Sequence, residues 1–203
     1  MTRQNRVMPD GEMVAIPARG TLTGNRGILH DAEGRMGEAR WRHPHWIACE
    51  LEYKGWRRQV MAPGRWTELF FLDEAVALSA GHRPCALCRR ADYNAFRAGW
   101  GRVFGREDSA AEMDRVLHAA RVLPGTRNLA THRARFGDLP DGSFIRQDRD
   151  YFLILGGGLL PFAPQGYGQR MTPPPGEVEV LTPEPMVRVL AAGYRPRLHP
   201  SAA

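Results

Sequence analysis

Residues 67–104 read TELFFLDEAVALSAGHRPCALCRRADYNAFRAGWGRVF and hold two of the three cysteines, spaced Cys85-x-x-Cys88. Leu72-Asp73-Glu74-Ala75 opens a short helix, with Asp73 as its N-cap. Gly81 ends that helix, because glycine tolerates the left-handed backbone of a helix C-terminus. Pro84 then forbids continuation and fixes a tight turn. This pattern predicts two thiols on a rigid knuckle, with Cys88 at the start of the next helix. Half of a tetrahedral zinc site is presented in that way. In the following helix Tyr93, Phe96, Trp100 and Phe104 recur at helical spacing and form the buried stripe. Arg89, Arg90 and Arg97 fall elsewhere on it. A redox CxxC fits less well, since its thiols usually follow a strand rather than a helix-stop turn.

Phe70-Phe71, Ala75 and Ala80-Gly81-His82-Arg83-Pro84-Cys85-x-x-Cys88-Arg89 resemble the Ada-type metal-binding domain of bacterial proteins that repair methyl-phosphotriesters in DNA. The likeness covers about 25 of the 203 residues. It implies a strand ending in Phe-Phe, a helix, a zinc-binding knuckle and a DNA partner. That family holds zinc through four cysteines, one of them the methyl acceptor. This chain has three, so at least one ligand must differ.

The third cysteine lies in a stretch of alternating polarity. From His45 to Tyr53, Ile47, Cys49, Leu51 and Tyr53 share one face. Lys54-Gly55 is a turn signal, and residues 56–61 are expected to return as the second strand of a hairpin. Cys49 reads either as the third metal ligand or as an ordinary buried thiol of the core. For the fourth ligand His45 is the candidate, in an H-x-x-x-C spacing that parallels the first cysteine pair of the Ada-type domain. This demands a bend near Pro44, because residues four apart in a straight strand lie about 13 Å from each other. His30 and His82 compete for the same role. Bare thiols in a packed turn are the alternative to any Zn2+ site.

The chain carries 28 basic residues and a net charge of +6, with Lys54 the only lysine. Arginine suits phosphate recognition through its planar fork, although surface arginines also serve simply to solvate a protein. Arginine and tryptophan interleave at Arg40-Trp41-Arg42, Trp46, Trp56-Arg57-Arg58 and Arg65-Trp66. This pattern, together with the resemblance, points to nucleic-acid contact through Arg57, Arg58, Arg89, Arg90 and Arg97. The alternative is that the tryptophans fill a small core. No window of about 18 apolar residues predicts a transmembrane helix, and the opening MTRQNRVMPDGEM lacks the apolar run of a signal peptide. Three cysteines, two of them too close for an easy disulfide, suit a reducing cytoplasm.

Residues 1–18 read as a flexible arm, and 19–31 as a glycine-rich turn cluster. Ser109-Ala-Ala-Glu112 is a capping box that starts a helix to about Leu123, with Met113, Val116, Leu117 and Ala120 inward and His118 on the polar side. From Asp138 the chain turns strand-rich. Asp141-Gly142 and Gly156–Gly158 mark turns of an antiparallel meander, Glu177–Leu181 a last strand, and Thr182-Pro183 the start of a final helix ending at Gly193. Ala80-Gly81-His82-Arg83-Pro84 recurs as Ala192-Gly193-Tyr194-Arg195-Pro196, a repeated helix stop. The expected fold is α+β. A zinc-knuckle module of a β-hairpin plus helices (19–135) packs with a C-terminal β-meander and helix (136–203), in one shared core.

Three function classes are compatible with these features. The first is a zinc protein contacting DNA or RNA. The second is a metal-dependent nuclease or related hydrolase, with His132, Asp138 and Asp141 as candidate catalytic groups. The third is a protein-interaction domain.

Overall fold

A computed structural model describes residues 2–55 and 59–203 of the chain. Its most enclosed element is the short helix α1 (Glu74–Ser79), all six residues of which are buried. Asp73 caps it by accepting a hydrogen bond from the Val76 amide at 3.0 Å. Gly81 takes the left-handed φ of 84° that stops it. A methyl group there would lie 2.5 Å from Cδ of Arg121, so glycine serves both backbone and packing.

The fold is α+β, with four helices and two six-stranded sheets among the described residues. The first sheet is built from β1 (Arg6–Val7), β2 (Met13–Val14), β3 (Leu22–Asn25), β4 (Ile47–Glu50), β5 (Leu69–Phe71) and β6 (Arg83–Pro84), in the order β2-β1-β5-β3-β4-β6. The second uses β7 (His132–Arg135), β8 (Phe144–Gln147), β9 (Asp150–Leu155), β10 (Gly158–Ala163), β11 (Gly166–Tyr167) and β12 (Glu177–Val180), ordered β11-β10-β9-β8-β12-β7. One apolar core joins α1 to both sheets, with Phe71 and Ala75 packed in the same cluster as Phe144, Leu153 and Leu160. The helices α2 (Arg90–Phe104), α3 (Ala110–Arg121) and α4 (Glu184–Ala191) form a second cluster around Phe96, Trp100, Met113, Leu117, Met186 and Val189.

Several local expectations hold. Ser109 and Glu112 form the capping box of α3, and Gly156 and Gly157 turn β9 back into antiparallel β10. Gly193 repeats the positive φ of Gly81.

Others are corrected. The opening residues, expected as a flexible arm, supply β1 and β2, and Val7 and Met13 are buried. Their apolar side chains complete the face of the first sheet. In the stretch 45–61, expected as a hairpin, β4 pairs antiparallel with β3 and parallel with β6, while residues 56–58 of the expected return lie outside the described residues. The turn expected at Lys54-Gly55 does form, with φ of 53° and 74° at the two residues.

The arginine–tryptophan interleaving is partly internal. Trp46 is wholly buried, with the guanidinium of Arg26 4.2 Å and that of Arg121 3.9 Å from its ring centroid. Burial pulls the pKa of Arg26 down to about 9. His118, expected on the solvated side, packs edge-on to Trp46 at 5.8 Å between ring centroids.

Glu74 is buried, and three groups from two parts of the chain converge on it. Arg89 meets it at 2.7 Å, the Arg197 amide donates at 2.8 Å, and the Tyr194 hydroxyl donates to its other oxygen. Burial opposes the charge of Arg89, but Glu74 and Asp92 outweigh it and raise its pKa. Removing one partner of such a pair strands the other charge, so Arg89→Ala should lower the unfolding free energy by about 3–5 kcal/mol in a urea titration. Arg90→Ala, at an exposed neighbour, should change it by less than about 0.5 kcal/mol.

Candidate metal centre

The parallel pairing of β4 with β6 assembles the centre. Ile47 stands opposite Arg83 and Ala48 opposite Pro84. The Cys85 amide donates to the Ala48 carbonyl at 3.0 Å. That register carries Cys49, one residue on, alongside Cys85. Pro84 is tolerated because β6 is the edge of its sheet and its missing N–H leaves no ladder bond unmade. The turn from Cys85 to the start of α2 then returns Cys88 to the same point.

The ligand atoms of Cys49, Cys85 and Cys88 all lie within 4.8 Å of one another. Three thiols at that separation can hold a metal ion. Among the described residues no further histidine, cysteine, aspartate or glutamate joins them. Residues 1 and 56–58 are Met, Trp, Arg and Arg, so none of these donor types lies outside the described set.

Backbone amides already favour sulfur in its anionic form. The Leu87 amide points at the Cys85 sulfur and the Glu50 amide at the Cys88 sulfur, each at 3.4 Å. A hydrogen bond from the Cys49 thiol pulls the pKa of Cys85 down to about 5, against burial. Cys88 is likewise lowered, first by Cys49. Hydrogen bonding to these two sulfurs, with burial, raises Cys49 and leaves it the proton holder. The ion-free cluster thus favours the thiolate form at Cys85 and Cys88 and the thiol form at Cys49, whose proton a divalent cation would displace.

All three cysteines line a single cavity of about 620 Å³. Ile47, Val60, Trp66, Phe70 and Leu87 form much of its apolar wall, with Glu50 and Glu68 as its acidic groups. Leu51 and Leu87, which also line it, are 52% and 58% exposed. Large apolar side chains left that open are otherwise few in this chain.

The histidines expected as ligands are engaged elsewhere. His45 meets Asp114 through Nδ1 at 2.8 Å, and Arg83 grips the same carboxylate with two bonds of 2.8 and 2.9 Å. The extended backbone entering β4 carries His45 away from Cys49. His30 bonds the Thr67 hydroxyl at 2.6 Å. His82 is buried against Trp46 and Phe71, with Nε2 facing Arg26 at 3.4 Å, and burial holds its pKa well below the ordinary value.

Of the arginines expected on nucleic acid, Arg89 is buried among carboxylates. Arg97 pairs with Glu107 at 3.1 Å, Arg90 is exposed, and Arg57 and Arg58 lie outside the described residues. His132 sits on β7 opposite Val180, Asp138 closes a 3-10 turn, and Asp141 accepts from the Gly156 amide at 2.8 Å. None of these three joins the cysteine cluster. The sequence reading missed the Arg83–Asp114–His45 chain and the cavity. The one available signal for the cavity was Leu87, an apolar residue inside an exposed CxxC turn. No helix among the described residues is long and apolar enough to cross a membrane.

No family model, curated protein sequence or solved structure matches the chain. The site therefore has to be read from its own geometry.

In metal-free protein, thiolate absorbance followed with pH should report two groups ionised below about 8.5, the ordinary thiol value, and a third above it. Three thiols titrating together near about 8.5 would contradict that arrangement.

Proposed function

We propose that this chain is a zinc protein whose ion is held by Cys49, Cys85 and Cys88, with one coordination position left to an outside ligand. The observation that carries the reading is the convergence of three sulfurs within 4.8 Å, from two separate parts of the chain, without a fourth protein donor. Zinc is favoured over harder cations because thiolates are soft ligands. Closed structural sites have four protein ligands, whereas sites that bind or activate a ligand have three and an open place. The N–H···S bonds from Leu87 and Glu50 support the assignment, since such contacts hold thiolates in orientation before the metal arrives.

Nucleic-acid contact and the repair role suggested by the Ada-type resemblance stand further off. Arg89 is committed to internal carboxylates, and His45, at the spacing of that family's first cysteine, is committed to Asp114. The hydrolase alternative has no metal cluster around His132, Asp138 and Asp141 among the described residues.

The test is zinc stoichiometry in purified protein and in three single variants. Wild type should carry close to one zinc per chain, as a single tetrahedral site requires. Cys85→Ser, Cys88→Ser and Cys49→Ser should each lose it. Cys49→Ser decides the ligand set. A variant that kept full zinc and lost only modest stability would make Cys49 a core residue.

A further inference from the structure

Resting on that zinc reading, we infer that the fourth position takes a small, uncharged, mostly apolar molecule presenting one neutral nitrogen donor, such as a substituted imidazole or pyridine-type heterocycle. The cavity supplies the first argument. About 620 Å³ lies inside the range of roughly 300–1,000 Å³ typical of small-molecule sites, and Cys49, Cys85 and Cys88 all line it. A ligand bound to the ion therefore extends along Ile47, Val60, Trp66, Phe70 and Leu87. These walls reward apolar surface.

Charge supplies the second argument. Three thiolates around a divalent ion already leave one net negative charge. An added thiolate or carboxylate would double it beside apolar walls, where charge is poorly solvated. The charged groups that line the cavity among the described residues are both acidic, Glu50 and Glu68, so no basic side chain of that lining offsets an incoming anion. Glu50 is held by Arg197 and Glu68 accepts the Met61 amide at 2.6 Å, so both carboxylates are fixed in place rather than free to ligate. A neutral nitrogen donor completes the tetrahedron without adding charge, and imidazole-type nitrogen suits zinc.

Cobalt(II)-loaded full-length protein provides the readout, since its d–d bands respond to the fourth ligand and its sulfur-to-metal band reports the cysteines. It is titrated with 4-phenylimidazole, imidazole and benzyl mercaptan. Phenylimidazole should shift the d–d bands and bind at least about tenfold more tightly than imidazole, because its ring buries apolar surface. Benzyl mercaptan should bind more weakly than phenylimidazole. Leu87→Asp and Leu51→Asp, at exposed positions, should keep the sulfur-to-metal band while the phenyl preference falls below about threefold. Equal affinity for imidazole and phenylimidazole would overturn the role of the cavity. Tighter binding of the mercaptan would overturn the donor class, and unresponsive d–d bands would overturn the open position. Absence of the sulfur-to-metal band would instead remove the zinc reading, and this inference with it.

Discussion

The buried ion pair between Glu74 and Arg89 holds the molecule's parts in register. Both side chains are essentially out of water, 2.7 Å apart. Glu74 opens the central helix, and Arg89 immediately follows the second cysteine of the turn. The same carboxylate accepts from the Arg197 amide, and neighbouring Asp73 accepts from the Tyr167 hydroxyl and the His199 amide at 2.8 and 2.9 Å. Burial raises the pKa of Asp73, while these bonds and that of Val76 pull against the rise. Two acidic residues at the start of one enclosed helix thus tie together the sulfur turn, the second sheet and the C-terminal tail. A buried pair is costly to desolvate and valuable mainly because its loss is worse. Its natural contribution is therefore to specify one arrangement rather than to add stability.

That arrangement matters because the three sulfurs come from segments 36 residues apart in the chain, Cys49 and Cys85. Their meeting depends on one short parallel pairing at a sheet edge. Arg83, in that edge strand, is held by Asp114 of α3, and Arg89, just beyond it, by Glu74 of α1. The turn is clamped on both sides. A centre built this way loses little conformational freedom when a metal arrives, and its amides are already directed at sulfur. The apolar cavity lies beside the same construction, where β6 pairs only with Ile47 and Ala48 and stops short of Cys49.

Much of this was legible in the residues. Asp73, Gly81 and Pro84 announce a capped helix, its stop and a rigid turn through local backbone chemistry alone. Ser109 with Glu112 and the paired glycines at 156 and 157 are equally local signals. What escaped is non-local. The pairing of β4 with β3 and β6 accompanies the burial of Ala48 and Trp46, which no turn propensity reports. Val7 and Met13 lie in short apolar runs broken by Pro9, Gly11 and Pro17, and their burial shows only once the sheet they complete is known. The arginines misled for a related reason: Arg26, Arg89 and Arg121 are inside, stacked on tryptophan or paired with acid, and residue type alone does not distinguish such a guanidinium from one on the surface. His45, whose candidacy required a bend near Pro44, is instead held by Asp114 of α3.

The account's central claim is a three-sulfur centre with one outside ligand, and X-ray absorption at the zinc edge of the purified protein tests it most directly. It predicts about three sulfur neighbours near 2.3 Å and a single lighter donor near about 2.0–2.1 Å. A shell with two sulfurs or fewer, or one made entirely of nitrogen and oxygen, would contradict it.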